Sequence, residues 1–97
     1  MQTLKTFQID SCPEIIWIKN LERKPENEIY DNVLGILYSD KNISIGKEID
    51  RGLEFVRVCK YCDEVFEIVN DIDYGVMIRT QNSALRLKLV KLLEGRA

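Results

Sequence analysis

Histidine is absent from this sequence, and proline and tryptophan are scarce, with two and one residues among 97. The chain therefore lacks the commonest general base, the Ser-His-Asp and Cys-His arrangements, and the Cys/His zinc patterns. No apolar run approaches the roughly 18 residues of a membrane-spanning helix. The amino-terminal MQTLKTFQID also lacks the apolar core of a secretion signal. We therefore expect a cytoplasmic protein.

Cysteine is also scarce, and its number, three, is odd. Three cysteines are too few for a disulfide framework, so reduced thiols are the expectation. The pair Cys59 and Cys62, with two residues between them, has the spacing of half a zinc site, and Cys12 would be a third ligand. The favoured interpretation is that one of the pair points inward as a small apolar residue. We expect no bound metal and no other cofactor.

The charge balance is slightly acidic, with a net charge of −2 and a pI of about 5.2. A nucleic-acid-binding domain usually carries a basic excess, so that class is disfavoured. The chain has no P-loop, no Gly-x-Gly-x-x-Gly and no nucleophile motif. The carboxylate pair Glu64 and Glu67 is interpreted as surface charge. Residues 1–97 are the length of one domain, and we expect it to be non-catalytic.

Turn residues punctuate the chain from residue 40 to residue 73 about every ten positions, which is the spacing of antiparallel strands that meander. The segments between the turns are apolar and rich in β-branched residues: VLGILYS, ISIGKEI, LEFVRVC, EVFEIV and YGVMIRT. We interpret Val33–Ser39 as a central strand because it is apolar on both faces. In the strand Leu53–Cys59 the alternation slips after Phe55, which predicts a bulge.

The first third of the chain is harder to interpret. Leu4–Ile9 predicts a strand. Residues 14–24 are open between strand and helix, and the β-branched run Ile15–Ile18 favours the strand. Lys19–Asn32 is highly charged and is interpreted as a long loop, with one helical turn from Glu26.

The carboxyl-terminal segment predicts an amphipathic helix. Ser83 is the expected N-cap, and Gly95 stands where a left-handed C-terminal cap belongs. Leu85, Leu89 and Leu92 fall on one stripe, which must cover an apolar surface such as the sheet. The predicted fold class is α+β, mostly β: seven antiparallel strands, as a meander or partly open barrel, capped by one helix.

Seven strands followed by one helix resembles the pleckstrin-homology domain. The resemblance lies in the last two-thirds of the chain, in Leu37–Asn42, Glu64–Val69, Tyr74–Thr80 and the helix from Ser83. One departure is Leu89, which stands where that family's helix usually carries tryptophan. Because this barrel-and-helix frame is shared by many families, the resemblance does not fix a function.

The resemblance implies a place for an anionic lipid headgroup, at the barrel end formed by three turns. Those turns hold five acidic residues and one basic residue: Asp10, Glu14, Asp40, Asp71, Asp73 and Lys41. Five basic residues are predicted at the opposite end: Lys19, Arg23, Lys24, Arg51 and Lys60. If a headgroup does bind, the candidate contacts are Lys5, Lys19, Arg23, Lys24 and Lys41. Anionic membranes attract basic surfaces, so phosphoinositide binding is disfavoured.

Three functions remain open from the sequence. The favoured one is an adaptor module in signalling that docks a protein partner on the sheet edge, the helix face or a loop. The alternatives are a phosphoinositide-binding membrane-recruitment domain and a small zinc-binding regulator built on Cys59 and Cys62. The sequence does not identify the partner or the oligomeric state.

Overall fold

The computed structural model describes residues 3–95, which form six strands and two helices. The order is β1 (Thr6–Ile9), β2 (Cys12–Ile18), α1 (Glu26–Tyr38), β3 (Ile43–Asp50), β4 (Glu54–Tyr61), β5 (Glu64–Asp71), β6 (Gly75–Arg79) and α2 (Ser83–Leu93). The fold is α+β and mostly β, as predicted. Neither helix within residues 3–95 is long and apolar enough to cross a bilayer.

All six strands belong to one open antiparallel sheet in the order β1-β2-β6-β5-β4-β3. Strands β3 to β6 follow one another as hairpins, which confirms the meander predicted from the turn spacing. Strand β2 pairs with β6 rather than with β3, so the first hairpin joins the far side of the sheet. Residues 14–18, which the sequence left open, lie in β2, and this settles them as strand.

The predicted strand Val33–Ser39 is wrong: residues 26–38 form the helix α1. Its buried side chains Ile29, Val33 and Leu37 recur every four residues, which is the period of one helix face. The predicted loop therefore ends at Pro25, and Glu26 and Glu28 place favourable negative charge in the first helical turn. With this segment helical, the described chain has six strands instead of seven.

Helix α2 is the predicted amphipathic helix, with one difference at its start. Asn82, not Ser83, is the N-cap, and its side chain accepts a hydrogen bond from the Leu85 N–H at 3.0 Å. Gly95 has the expected left-handed conformation, with φ of 70°. The helix buries Leu85, Leu89, Val90 and Leu93 against the sheet and α1, while Leu92 is half-buried.

Both helices pack on the same face of the sheet and enclose the main core. This core includes Ile16, Ile29, Val33, Leu37, Phe66, Ile68, Ile78, Leu85, Leu89 and Leu93. A second, smaller cluster lies on the other face of the sheet and contains strand residues only: Val56, Val69 and Met77, with Ile15 and Trp17 packed against them. Each strand thus directs alternate side chains to two apolar environments.

The bulge predicted in β4 is wrong, and a bulge lies in β3 instead. Gly46 and Lys47 together face the single residue Val58, because Ile45 pairs with Cys59 while Glu48 pairs with Arg57. A Cβ on residue 46 would collide with the carbonyl oxygen of Val58, so glycine lets the two strands approach. The slip of alternation in the sequence of β4 has no counterpart in its regular pairing with β5.

Candidate functional site

Three of the four most exposed large apolar side chains in residues 3–95 lie at the tips of two hairpin turns, and the fourth is Leu21 in the loop after β2. Leu53, between β3 and β4, is 68% exposed, and Ile72 and Tyr74, between β5 and β6, are 62% and 74% exposed. The two turns touch, since the N–H of Ile72 donates to the carbonyl of Leu53 at 3.0 Å. We call Leu53, Ile72 and Tyr74 the turn-tip patch.

The shape of both turns is fixed by aspartate side chains. Asp50 Oδ1 accepts from the Gly52 N–H at 2.9 Å, and Asp71 Oδ1 accepts from the N–H groups of Asp73 and Tyr74 at 2.8 and 3.0 Å. Such side-chain bonds hold turns without a sheet partner. Gly52 supplies the left-handed residue, with φ of 85°. The turn-tip patch therefore stands on two ordered turns.

The charge around the turn-tip patch is mainly acidic. Asp50, Asp71 and Asp73 lie in or beside the two turns, and Arg51 is the one basic residue within them. The guanidinium of Arg51 reaches Glu67, with Nη1 3.9 Å from Oε2, so its charge is shared. The patch is consequently an apolar surface with a negatively charged rim.

The predicted grouping of turns is partly wrong. The turns at residues 10–11 and 40–42 lie at the end of the sheet where β4 meets β5, since Cys62 N–H donates to Asn42 O at 2.8 Å. Asp71 and Asp73 lie at the other end, together with Arg51 and Lys19, because adjacent strands are antiparallel. The predicted single cluster of acidic turns is therefore divided between two ends. Lys60 is also misplaced by the prediction, because it lies near the Cys62 end of β4.

Three of the five candidate ligand-binding residues line one depression of about 200 Å³. Lys5 and Lys19 are neighbours across β1 and β2, with the Lys19 N–H donating to the Lys5 carbonyl at 2.8 Å. Lys24 joins them from the loop before α1 and lies 3.6 Å from the Glu22 carboxylate. Arg23 is in the same loop but does not line the depression, and Lys41 is at the far end of the sheet.

The loop that carries Lys24 is held by one side chain. Asn20 Oδ1 accepts from the Lys24 N–H at 2.9 Å, and Asn20 Nδ2 donates to the Lys24 carbonyl at 2.7 Å. This pair of bonds closes the loop, and Arg23 within it has a positive φ of 53°. The depression is thus flanked by an ordered loop, with Leu4, Leu21 and Ile29 as its apolar walls.

The cysteine pair is divided between the core and the surface. Cys59 is buried on the helix-covered face, where burial raises the pKa of its thiol, while Cys62 is exposed in the turn after β4. Cys59 is therefore the inward-pointing, small apolar residue that the sequence predicted. Among residues 3–95 no group of three or more Cys, Asp or Glu side chains is arranged to hold a metal ion.

A second depression, of about 680 Å³, contains the carboxylate pair Glu64 and Glu67. Both carboxylates are engaged: Glu64 accepts from the Asn82 side chain, and Glu67 accepts from Arg79. They therefore act as acceptors in structural hydrogen bonds; Glu64 is exposed, as its interpretation as surface charge implies, whereas Glu67 is half-buried in an ion pair.

The sheet face that the helices leave uncovered also carries apolar side chains, and we call it the open face. A row of cross-strand neighbours spans all six strands: Phe7, Trp17, Met77, Val69, Val56 and Ile49. Phe7 and Trp17 stack with ring centroids 6.2 Å apart. Beside this row, Val58 and Val65 are 39% and 51% exposed.

No family model matches this chain, and the curated proteins and the solved structures compared with it also give no match. Its function is therefore argued from its own surfaces.

Proposed function

We propose that this protein is a non-catalytic binding module that docks a protein partner through the turn-tip patch. The observation that carries the proposal is the exposure of three large apolar side chains on two touching, ordered turns. Contiguous apolar patches of this kind mark interaction sites in soluble proteins. Tyrosine in particular is enriched among the residues that dominate binding energy, so Tyr74 is the expected anchor.

The acidic rim defines the chemistry of the partner. Asp50, Asp71 and Asp73 would meet like charge on an acidic surface, whereas basic residues around an apolar pocket would complement them. The proposed partner therefore presents an apolar pocket or groove flanked by lysine or arginine. Since the rim would repel anionic lipid, a membrane surface is disfavoured at this patch.

The sheet edges, which were also considered from the sequence, are less suited to a partner. The edge strand β1 has only four residues, and the opposite edge β3 is bulged and carries Lys47 and Glu48. Short, bulged and charged edges resist pairing with a further strand. The proposed docking place is therefore a loop site, the turn-tip patch. The pleckstrin-homology resemblance stays a prediction, and the proposal does not depend on it.

Site-specific photocrosslinking tests the proposal. A photoreactive phenylalanine analogue at position 74, expressed in the cells that produce the protein, should capture one protein partner. The matched control is the same analogue at Tyr38, which is also exposed but lies at the end of α1, away from the patch. The captured protein, once purified, should bind the native chain, and this binding should weaken at least tenfold with Tyr74→Ser.

Tyr38→Ser should leave that binding unchanged, and raising the salt from 50 to 500 mM should weaken binding to the native chain because the rim is charged. Equal capture from positions 74 and 38, or purified binding that Tyr74→Ser does not change, contradicts the proposal. Either result would show that the exposure of the turn-tip patch is not what selects the partner.

A second candidate function is favoured by one observation, the three lysines around the depression at Lys5, Lys19 and Lys24. Lysine binds phosphate as a point charge, so this site suits the phosphate of a lipid headgroup. Vesicles containing phosphoinositide should retain the native chain and lose Lys19→Gln, while Lys41→Gln at the other end should behave as native. Failure of the native chain to bind at near-physiological salt removes this candidate.

A further inference from the structure

The open face is a second surface, distinct from the turn-tip patch, and it shows no net charge at its centre. Arg79 pairs with Glu54 and Glu67, and Arg51 also reaches Glu67, so two arginines balance two glutamates. Lys60 lies at the margin of this face. Around the four paired charges the exposed large apolar side chains are Phe7, Ile49, Val58 and Val65, and Lys47 lies opposite Val58 in the bulge of β3.

The balanced charge of the open face indicates which kind of partner surface fits it. Surfaces of this chain that carry one sign of charge, such as the acidic rim of the turn-tip patch, would repel the same surface of a second copy. The open face is an exception, because its ion pairs are satisfied within one copy and its apolar side chains need no complementary charge. A second open face provides the same apolar, neutral surface and therefore fits it.

The dimensions also fit a dimer. Six strands at about 4.8 Å spacing are about 24 Å wide, and strands of four to eight residues are about 13–26 Å long. Two such faces in contact bury about 1,000 Å² in projection, which is close to the lower limit for a specific interface. A face-to-face pair of sheets is the ordinary sandwich arrangement, with the strands of the two sheets within about 30° of each other.

We propose that two copies of this chain associate through their open faces, with a two-fold axis through the interface. In such an isologous contact each residue meets the same surface of the other copy. Trp17 and Phe7 lie inside the contact and Val65 near its margin. This goes beyond the proposed docking function, because it uses a different surface and leaves the turn-tip patch at the end of the sheet.

Trp17 makes the proposal directly measurable, because it is the single tryptophan of the chain and lies on the open face. Analytical ultracentrifugation of the full chain from about 1 to 200 μM should show a monomer–dimer equilibrium, as expected for an interface of the smallest specific size. Over the same dilution series the Trp17 emission should move to longer wavelength as the dimer separates and water reaches the face.

Substitutions locate the interface. Val65→Asp and Val58→Asp each place two additional carboxylates in the contact, and each should weaken dimerisation at least tenfold. Because both side chains are already exposed, the variants should keep the native circular dichroism spectrum. Leu87→Asp, on the exposed side of α2, is the matched control and should dimerise as the native chain does.

Two results would overturn the proposal. A native chain that stays monomeric to 200 μM shows that the open face does not self-associate, and a dimer weakened by Leu87→Asp but not by Val65→Asp places the interface elsewhere. Neither result affects docking at the turn-tip patch, which is tested by crosslinking from position 74. Conversely, failure of that crosslinking leaves the dilution experiment informative.

Discussion

Arg79 lies directly opposite Glu67 in the pairing of β5 with β6, and two of its nitrogens share one carboxylate oxygen. Nε and Nη2 of Arg79 are 3.1 and 3.0 Å from Glu67 Oε1, and Nη2 is also 3.3 Å from Glu54 Oε1. All three side chains are about one-quarter exposed, so water screens the pair less than it would on an open surface. This ion pair joins adjacent strands on the open face.

A double-mutant cycle with Arg79→Met and Glu67→Gln should therefore give a coupling energy of about 1 kcal/mol. The comparison pair is Lys24 and Glu22, in which the glutamate side chain is 78% exposed, and its coupling should be close to zero. Urea unfolding of seven proteins, the native chain and the three variants of each cycle, measures both cycles. Equal coupling in the two pairs would show that burial does not distinguish them.

Two glycines should respond in opposite directions to alanine. Gly46→Ala places a Cβ against the Val58 carbonyl in the bulge of β3, so the strands must separate and stability should fall by about 1–3 kcal/mol. Gly35 lies inside α1 with nothing within 4 Å of a Cβ, so Gly35→Ala should raise stability by about 0.5–1 kcal/mol. Thermal unfolding of both variants checks the signs. A stabilising Gly46→Ala would show that the bulge is not restricted to glycine.

Local patterns in the sequence predicted the elements whose period was uninterrupted. The hairpins from β3 to β6 and the helix α2 were predicted because turn residues and apolar periodicity lie close together in the chain. Helix α1 was not predicted because its apolar stripe begins at Ile29, inside the charged segment Lys19–Asn32, whose composition differs from that of Val33–Ser39. Had the four-residue spacing of Ile29, Val33 and Leu37 been followed across Asn32, it would have indicated a helix.

The contacts between residues that are far apart in the chain could not be predicted from the sequence. The pairing of Ile16 with Ile78 joins residues far apart in the chain, and nothing in the local pattern specifies it. The turns at Gly52 and Asp71 were predicted, yet their contact depends on the registry of β4 with β5. The turn-tip patch could therefore not be assembled from the sequence. The depression lined by Lys5, Lys19 and Lys24 was only partly predicted, because it is the fold that brings Lys24 to the same depression as Lys5.

Alkaline pH should destabilise the protein through Cys59. Burial raises the pKa of the Cys59 thiol above its ordinary value of 9.0, so the folded state favours the neutral thiol. The contribution of this thiol to the free energy of unfolding is fully present below about pH 8. It falls as the pH rises through 9, because the thiol ionises first in the unfolded chain. Between the pKa of the unfolded thiol and that of the folded thiol, the free energy of unfolding falls by up to about 1.4 kcal/mol per pH unit.

Urea unfolding between pH 8 and 10 measures this dependence. Cys59→Val, of similar size, should flatten the curve, whereas Cys62→Ser at the exposed turn should keep the native slope. Burial also raises the pKa of Tyr30 from its ordinary 10.0, so that group contributes only at higher pH. A native slope in Cys59→Val would show that another group controls the alkaline transition.

Packing of α2 should contribute a large part of the stability of the domain. Leu89 is fully buried where both helices meet the sheet, so Leu89→Ala removes several methyl groups and leaves a cavity that rigid neighbours cannot fill. The expected loss is about 2–5 kcal/mol, against a total stability of about 5–15 kcal/mol for a domain of this kind. Lys91→Ala, on the exposed side of the same helix, is the control and should change stability by less than about 0.5 kcal/mol.

Urea unfolding should move the Leu89→Ala midpoint to lower concentration with an unchanged slope, because both proteins unfold from the same compact state. A midpoint shift no larger than that of Lys91→Ala would mean that α2 is not part of the cooperative core, and a lower slope would mean that the helix is already detached in the folded variant.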